Sequence, residues 1–308
     1  MRIISFILFV TISAIACCSK SYAQANHPGN AVEKLYVIAG GGFGFGAAGA
    51  SAQAGDYTTA YSNSGSNAIV TNVVRSKLFN FGKGLNFDIG GGVFVSKNIS
   101  AELNLAYLSG AANASTYVNS YSNGTSENGK SSLKASMVRI VPGLRLQFGE
   151  KKLHPYMRAG LIIGVAGKIE EDMIANLPSL TYTSTKIYSK GISWGFLCGV
   201  GARYSINKRL DVFGELTQIL QTWAPSRSDI TKETQNGKNT QGNLTTSQKE
   251  TLYSSNYSTT AVNHQLPPDK PITAMSVYFP LSSIGFTLGI HLKFYKIFVS
   301  DKSKYNLG

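Results

Sequence analysis

Apolar and polar residues alternate with a period of two in eight stretches of the chain: 35–47, 85–95, 99–109, 133–148, 156–167, 192–205, 210–219 and 284–294. Each is near the roughly 9 to 11 residues that a tilted β-strand needs to cross a bilayer. Successive side chains of a strand point to opposite faces. One face carries Phe87, Ile89, Val93 and Val95, then Ala101, Leu103, Leu105 and Tyr107, then Val138, Ile140, Leu144, Leu146 and Phe148. It continues through Trp194, Phe196, Cys198, Val200 and Tyr204 to Ile284, Phe286, Leu288, Ile290, Leu292 and Phe294. The opposite face carries Asn86, Asp88, Glu102, Asn104, Arg139, Arg145, Gln147, Arg158, Arg203, Asp211, Glu215, His291 and Lys293, with glycines between them. In a soluble sandwich the apolar face is the core. In a membrane barrel it meets lipid, and the charged face lines the lumen.

The connections favour the barrel. Strands two and three are joined by 96–98, four and five by 149–154, six and seven by 207–209. Between these turns lie long polar stretches at 48–84, 110–132, 168–191 and 220–283, rich in Ser, Asn, Thr and Gly. Structureless stretches of that length are uncommon in compact soluble domains. Tight turns at one end and long loops at the other are the habit of outer-membrane barrels. Aromatic residues of the apolar parity point the same way: Phe45, Phe87, Tyr107, Trp194 and Phe286 toward the long-loop end, Phe148, Tyr204 and Phe294 toward the short-turn end. The expected fold is therefore all-β: an eight-stranded antiparallel transmembrane β-barrel with short periplasmic turns and long extracellular loops. Within the loop 220–283, residues 272–279 are the best candidate for a hairpin extension.

The amino terminus has a basic residue at Arg2, an apolar stretch over 3–16 and a small-residue ending Ser21-Tyr22-Ala23, the pattern of a cleaved secretory signal. Cys17 after Ala14-Ile15-Ala16 also admits a lipid anchor. The organisation expected is a signal peptide at 1–23, a periplasmic segment at 24–34, the barrel at 35–294 and a periplasmic tail at 295–308. Beyond the signal no apolar run reaches the length of a membrane helix. Cys198 is then the only mature cysteine, which excludes an intramolecular disulfide and a zinc cluster. A formal charge of +13 would suit nucleic acid, but export directs the chain away from it and makes anionic lipid the better counterpart. Lys97, Lys151, Lys152, Lys208, Arg209, Lys296, Lys302 and Lys304 cluster at the short-turn end, where headgroups lie.

An eight-stranded barrel has an interior about wide enough for side chains alone. Arg139, Arg145, Arg158 and Arg203 should therefore form a structural charge network with Asp88, Glu102, Asp211 and Glu215, because unpaired charges there would each cost several kcal/mol. His291 belongs with that network, and His154 sits in a turn before Pro155. Neither His291 nor His264 has a partner carboxylate at a spacing that suggests catalysis. The glycines Gly40, Gly41, Gly42, Gly44 and Gly46 precede no helix-forming segment, so they read as close backbone approach rather than a phosphate loop. Loop tyrosines Tyr57, Tyr61, Tyr117, Tyr121, Tyr182, Tyr188, Tyr253 and Tyr257, set among Ser and Asn, suit an adaptable contact surface.

Thr287, Gly289, Leu292 and Phe294 follow the order polar, any, glycine, two of any, apolar, any, apolar. This resembles the terminal signal by which outer-membrane barrels are recognised for assembly. The run Gly199-Val200-Gly201-Ala202-Arg203-Tyr204, then Asn207-Lys208-Arg209-Leu210 and Phe213-Gly214-Glu215, is similar to small OmpA/OmpX-like and opacity-type barrels. The resemblance spans the mature chain. It departs in two places: the tail after the last strand and the length of the fourth loop. It implies an integral outer-membrane protein with a structural or surface-interaction role, no enzymatic activity and no cofactor. Its expected partners are outer-membrane lipids, the barrel-assembly machinery and an extracellular ligand held by the loops, with no nucleic acid. A small porin-like channel and a lipid-modifying enzyme are the alternatives.

Overall fold

The computed structural model describes residues 33–47, 55–64, 67–77, 79–121, 125–149, 152–256 and 268–295. The expected signal peptide, most of the segment before the barrel, His264, Tyr257 and the tail after Tyr295 lie outside these. Eight long strands carry the alternating pattern: β1 (Glu33–Gly46), β2 (Gly84–Phe94), β3 (Ile99–Gly110), β4 (Ser126–Gln147), β5 (Leu153–Leu177), β6 (Ser193–Ser205), β7 (Leu210–Trp223) and β8 (Ser283–Tyr295). Each pairs antiparallel with the next in sequence. Pairing of β8 with β1 closes the ring. Closure leaves no strand edge open to lipid, as backbone groups in hydrocarbon require.

Exposure settles which way the faces point. Trp194, Phe196 and Leu288 are 61%, 64% and 62% exposed, whereas Arg139, Asp211 and His291 of the other parity are 1%, 0% and 0% exposed. A soluble protein would show the reverse. The short turns are built as expected. Val95 and Ser96 both donate to the Ile99 carbonyl, and the Asn207 side chain accepts from the amides of Arg209 and Leu210 at 2.8 and 2.9 Å.

The polar stretches expected as loops are largely strand, and here the sequence reading is corrected. β4 and β5 run for 22 and 25 residues, about twice what the bilayer needs. Further strands flank their projecting ends, in the order Asn67–Ser76, Gly55–Ser64, Asn113–Ser120, β4, β5, Leu180–Ser189, Arg227–Gln235, Glu250–Ser254, Ile272–Met275. The stretch expected as a hairpin at 272–279 holds Ile272–Met275, which pairs parallel with Glu250–Ser254, and Phe279–Pro280, which pairs with the end of β7. Hydropathy missed these strands because they do not alternate: Asn67–Ser76 carries its apolar residues in adjacent pairs, Ile69-Val70 and Val73-Val74, and most of the others mix polar residues into both faces. Their backbone pairing and their Thr, Tyr and Ser content need no apolar side to persist.

Candidate functional site: the barrel lumen

β7 orders the lumen from the short-turn end outward, because alternate residues face inward: Asp211, Phe213, Glu215, Thr217, Ile219, Gln221, Trp223. At the short-turn end Asp211 gathers three basic groups. Lys293 Nζ lies 2.6 Å from Asp211 Oδ1, Arg203 Nε 3.0 Å from Oδ2, and His291 Nδ1 3.5 Å from Oδ2. Arg203 Nη1 lies 2.7 Å from His291 Nε2 and 3.2 Å from its Nδ1. The imidazole stacks on Tyr36, with ring centroids 4.4 Å apart.

The next level is built on Arg145. Its Nε lies 2.7 Å from Glu102 Oε1, but no N–H of the guanidinium is aimed well enough to make a hydrogen bond, so the attraction is chiefly Coulombic. Its flat face lies over the Tyr156 ring at 4.4 Å and near the Tyr36 ring at 5.6 Å. The Tyr36 hydroxyl donates to Glu102 and lies 2.6 Å from Ser100 Oγ. Glycines make the room: a Cβ at Gly92 would lie 2.3 Å from Tyr36 Cζ, and one at Gly201 would lie 2.9 Å from the Tyr156 hydroxyl. Of the glycine run in β1, Gly42 shows the close backbone approach expected, since its Cβ would lie 2.0 Å from the Phe286 carbonyl oxygen.

Above this, Arg158 Nε reaches Glu215 Oε1 at 2.8 Å. Asp88 lines a cavity of about 40 Å³ together with Asn104, Arg139 and Arg158. That volume has room for about two or three water molecules. Asp88 Oδ2, Asn104 Oδ1 and Arg139 Nη2 are buried without a hydrogen-bond partner among the described residues. Water in the cavity would answer groups of this kind. Val141, Ile162, Leu197 and Ile219 then form an apolar layer of inward side chains.

Of the four arginines expected in the network, three lie against one of its carboxylates: Arg145 against Glu102, Arg158 against Glu215, Arg203 against Asp211. The fourth does not. Arg139 bonds two amides instead, Gln221 Oε1 at 2.8 Å and Asn86 Oδ1 at 3.0 Å, and Asp88 faces the cavity. The sequence named Lys293 and His291 as inward-facing, and both join the Asp211 group. Missed altogether were the inward Tyr36, Tyr156 and Gln221, although each shares the parity of the charges.

At the long-loop end the lumen meets an apolar cluster of Phe79, Phe81, Leu108, Met137, Ile169 and Trp223, with Leu281 also buried and Phe279 and Tyr188 packed against it. Phe81 meets Phe279 edge-on at 5.2 Å. Several of these come from outside the eight apolar stretches, so periodicity gave no sign of them. Four of the loop tyrosines have carboxylate partners: Tyr117 and Tyr121 donate to Glu127, Tyr182 to Glu233 and Tyr188 to Glu171. These hydroxyls tie neighbouring strands of the extension together. Of the terminal-strand residues, Thr287 is buried, Gly289 passes close to the Phe213 ring, and Leu292 and Phe294 face outward. Lys152, Lys208 and Arg209 are exposed at the short turns.

A closed eight-stranded barrel with an apolar exterior and a charged interior matches what comparison with known families finds: the model for the outer membrane protein beta-barrel domain matches residues 9–248. The chain belongs to this family. It is an integral outer-membrane β-barrel protein. The match ends before β8, so the closing strand and much of the 220–283 region lie beyond the matched residues. No curated protein matches the chain.

Proposed function

We propose that the protein is a structural or surface-interaction barrel whose lumen is closed to ions and small solutes, with the strand-built long-loop end facing outward. The observation that carries this is the succession along β7, from the Asp211 cluster through the Glu215 pair and the Ile219 layer to the Trp223 cap. Its arginines are held by carboxylates or amides, and its outer end is covered by the Trp223 cluster. A water-filled pore keeps its charges apart and its constriction open. Here basic and acidic groups sit in contact, and aromatic rings cover the outer end. Among the described residues no group of three or more His, Cys, Asp or Glu side chains is placed to hold a metal ion.

Export through a cleaved signal, recognition of Thr287, Gly289, Leu292 and Phe294 by the assembly machinery, and contact of the basic short-turn rim with lipid headgroups complete the reading. Reconstitution into planar bilayers tests it. The expected result is no conductance steps above the bare bilayer at moderate voltage. Regular ohmic steps would replace this reading with that of a small channel, and a changed lipid A mass in cells carrying the protein would replace it with that of a lipid-modifying enzyme.

A further inference from the structure

Gln218 is out of place in an outer-membrane barrel. On the outward faces of 35–45, 85–95, 101–107, 138–148, 153–163, 194–206, 210–220 and 284–294, it is the only amide or charged side chain. Its parity on β7 is that of Val212, Leu216 and Thr222, opposite to the inward Asp211, Glu215 and Gln221. Its side chain has no hydrogen bond with any described residue. Thr222, four residues further along β7, is in register with Trp194. At a rise of about 3.3 Å per residue and a tilt of about 45°, Gln218 lies roughly 9 Å deeper than that level. A glutamine side chain cannot span that depth to reach headgroups, so lipid leaves its amide unsatisfied at a cost of several kcal/mol.

The surface around it is shaped. Gln218 is in register with Cys198 and Cys198 with Ala159, one row of small side chains beside the amide. The next row on one side is Leu161, Phe196 and Leu220, and on the other Met157, Val200 and Leu216. The result is a shallow notch with a polar group at its end, bounded by large apolar residues. In membranes small residues let backbones approach, and side-chain amides hold segments together.

We infer that the lipid-facing surface of β5, β6 and β7 is the contact between two copies of this chain, paired about a two-fold axis along the membrane normal. A primary amide is both donor and acceptor, so two copies of Gln218 satisfy each other across the axis. Such an isologous contact needs one self-complementary patch and no second protein. Acyl chains offer nothing to bond. The notch at Ala159 and Cys198 lets the two sheets come close enough for the amides to meet.

The test uses full-length protein extracted from outer membranes in mild detergent and weighed by native mass spectrometry. Wild type is expected as a dimer. Gln218→Leu, which suits lipid better and should keep the heat-modifiable gel mobility of a folded barrel, is expected to lower the dimer fraction at least tenfold. Gln218→Asn, which keeps an amide, should retain dimer. Spin labels on Cys198 should then lie closer across the dimer than labels on Leu103→Cys in a Cys198→Ser background, because β3 is on the far side of the barrel. A monomeric wild type, a Gln218→Leu protein still dimeric, closer labels at Leu103, or a glutamine-dependent complex with a different protein would each overturn the inference. None of these outcomes bears on bilayer conductance.

Discussion

The buried pair of Arg145 and Glu102 gives the sharpest test of whether the lumen is dry. Arg145 is 1% and Glu102 6% exposed, with 2.7 Å between the charged atoms. Arg145→Met preserves much of the side-chain volume but leaves the Glu102 carboxylate buried without its cation. Breaking one side of a buried pair costs about 3–5 kcal/mol, and losing the desolvated contact with the Tyr156 ring adds up to about 2 kcal/mol. The hydrogen bond from Tyr36 to Glu102 survives and offsets part of this, so the expected loss is about 3 kcal/mol or more. Adding Glu102→Gln removes the stranded charge while keeping an acceptor for Tyr36. The double variant should therefore return to within about 1 kcal/mol of wild type, since replacing both members of a buried pair is often nearly neutral. Urea unfolding of protein refolded into lipid vesicles, followed by tryptophan fluorescence and gel mobility, measures all four corners of the cycle. If Arg145→Met costs less than about 1 kcal/mol, water reaches Glu102 freely and the closed-lumen reasoning fails.

Three further outcomes are expected. Gly92→Ala sets a methyl against Tyr36, whose ring is hemmed in by His291 and Phe94, and should cost about 1–3 kcal/mol by the same unfolding assay; Tyr36→Leu in the same chain should recover most of it. Asp56 accepts from Lys77 at 2.9 Å and from the backbone and hydroxyl of Thr116 at 2.8 Å each, which holds its carboxyl down to about 2. Because that value is lowered on folding, the tie between Gly55–Ser64 and Asn113–Ser120 is fully present above the ordinary carboxylate range and fades as pH falls toward 2; hydrogen exchange of these strands should rise there, and Lys77→Met should move the change to higher pH. Mass measurement of the outer-membrane form should show a chain beginning at Gln24, whereas a lipid-modified Cys17 would place the protein's amino terminus in the membrane leaflet instead.

The eight barrel strands, their faces and the alternation of short and long connections were legible in the sequence. Each follows from a local rule: a strand turns its side chains up and down with period two, and lipid on one side enforces apolar residues at every second position. Gln218 stands out for the same reason, as a break in that rule. The direction of the faces also followed once the connections were read, because long polar stretches at one end suit a barrel better than a sandwich.

What the tertiary structure decided is which inward groups meet. Asp211, Lys293, Arg203 and His291 come from three strands, and their meeting depends on how the rows of neighbouring strands are staggered around the ring. The same stagger puts Arg139 beside Gln221 and Asn86, and Asp88 on the cavity. The extension strands were invisible to hydropathy because polar and apolar residues do not alternate along them, and the outer cap because Phe79, Phe81 and Phe279 reach it from segments without periodicity. A period of two fixes the face on which a side chain stands; only closure of the barrel fixes its neighbours, because those contacts join residues far apart in sequence through a register that no local pattern encodes.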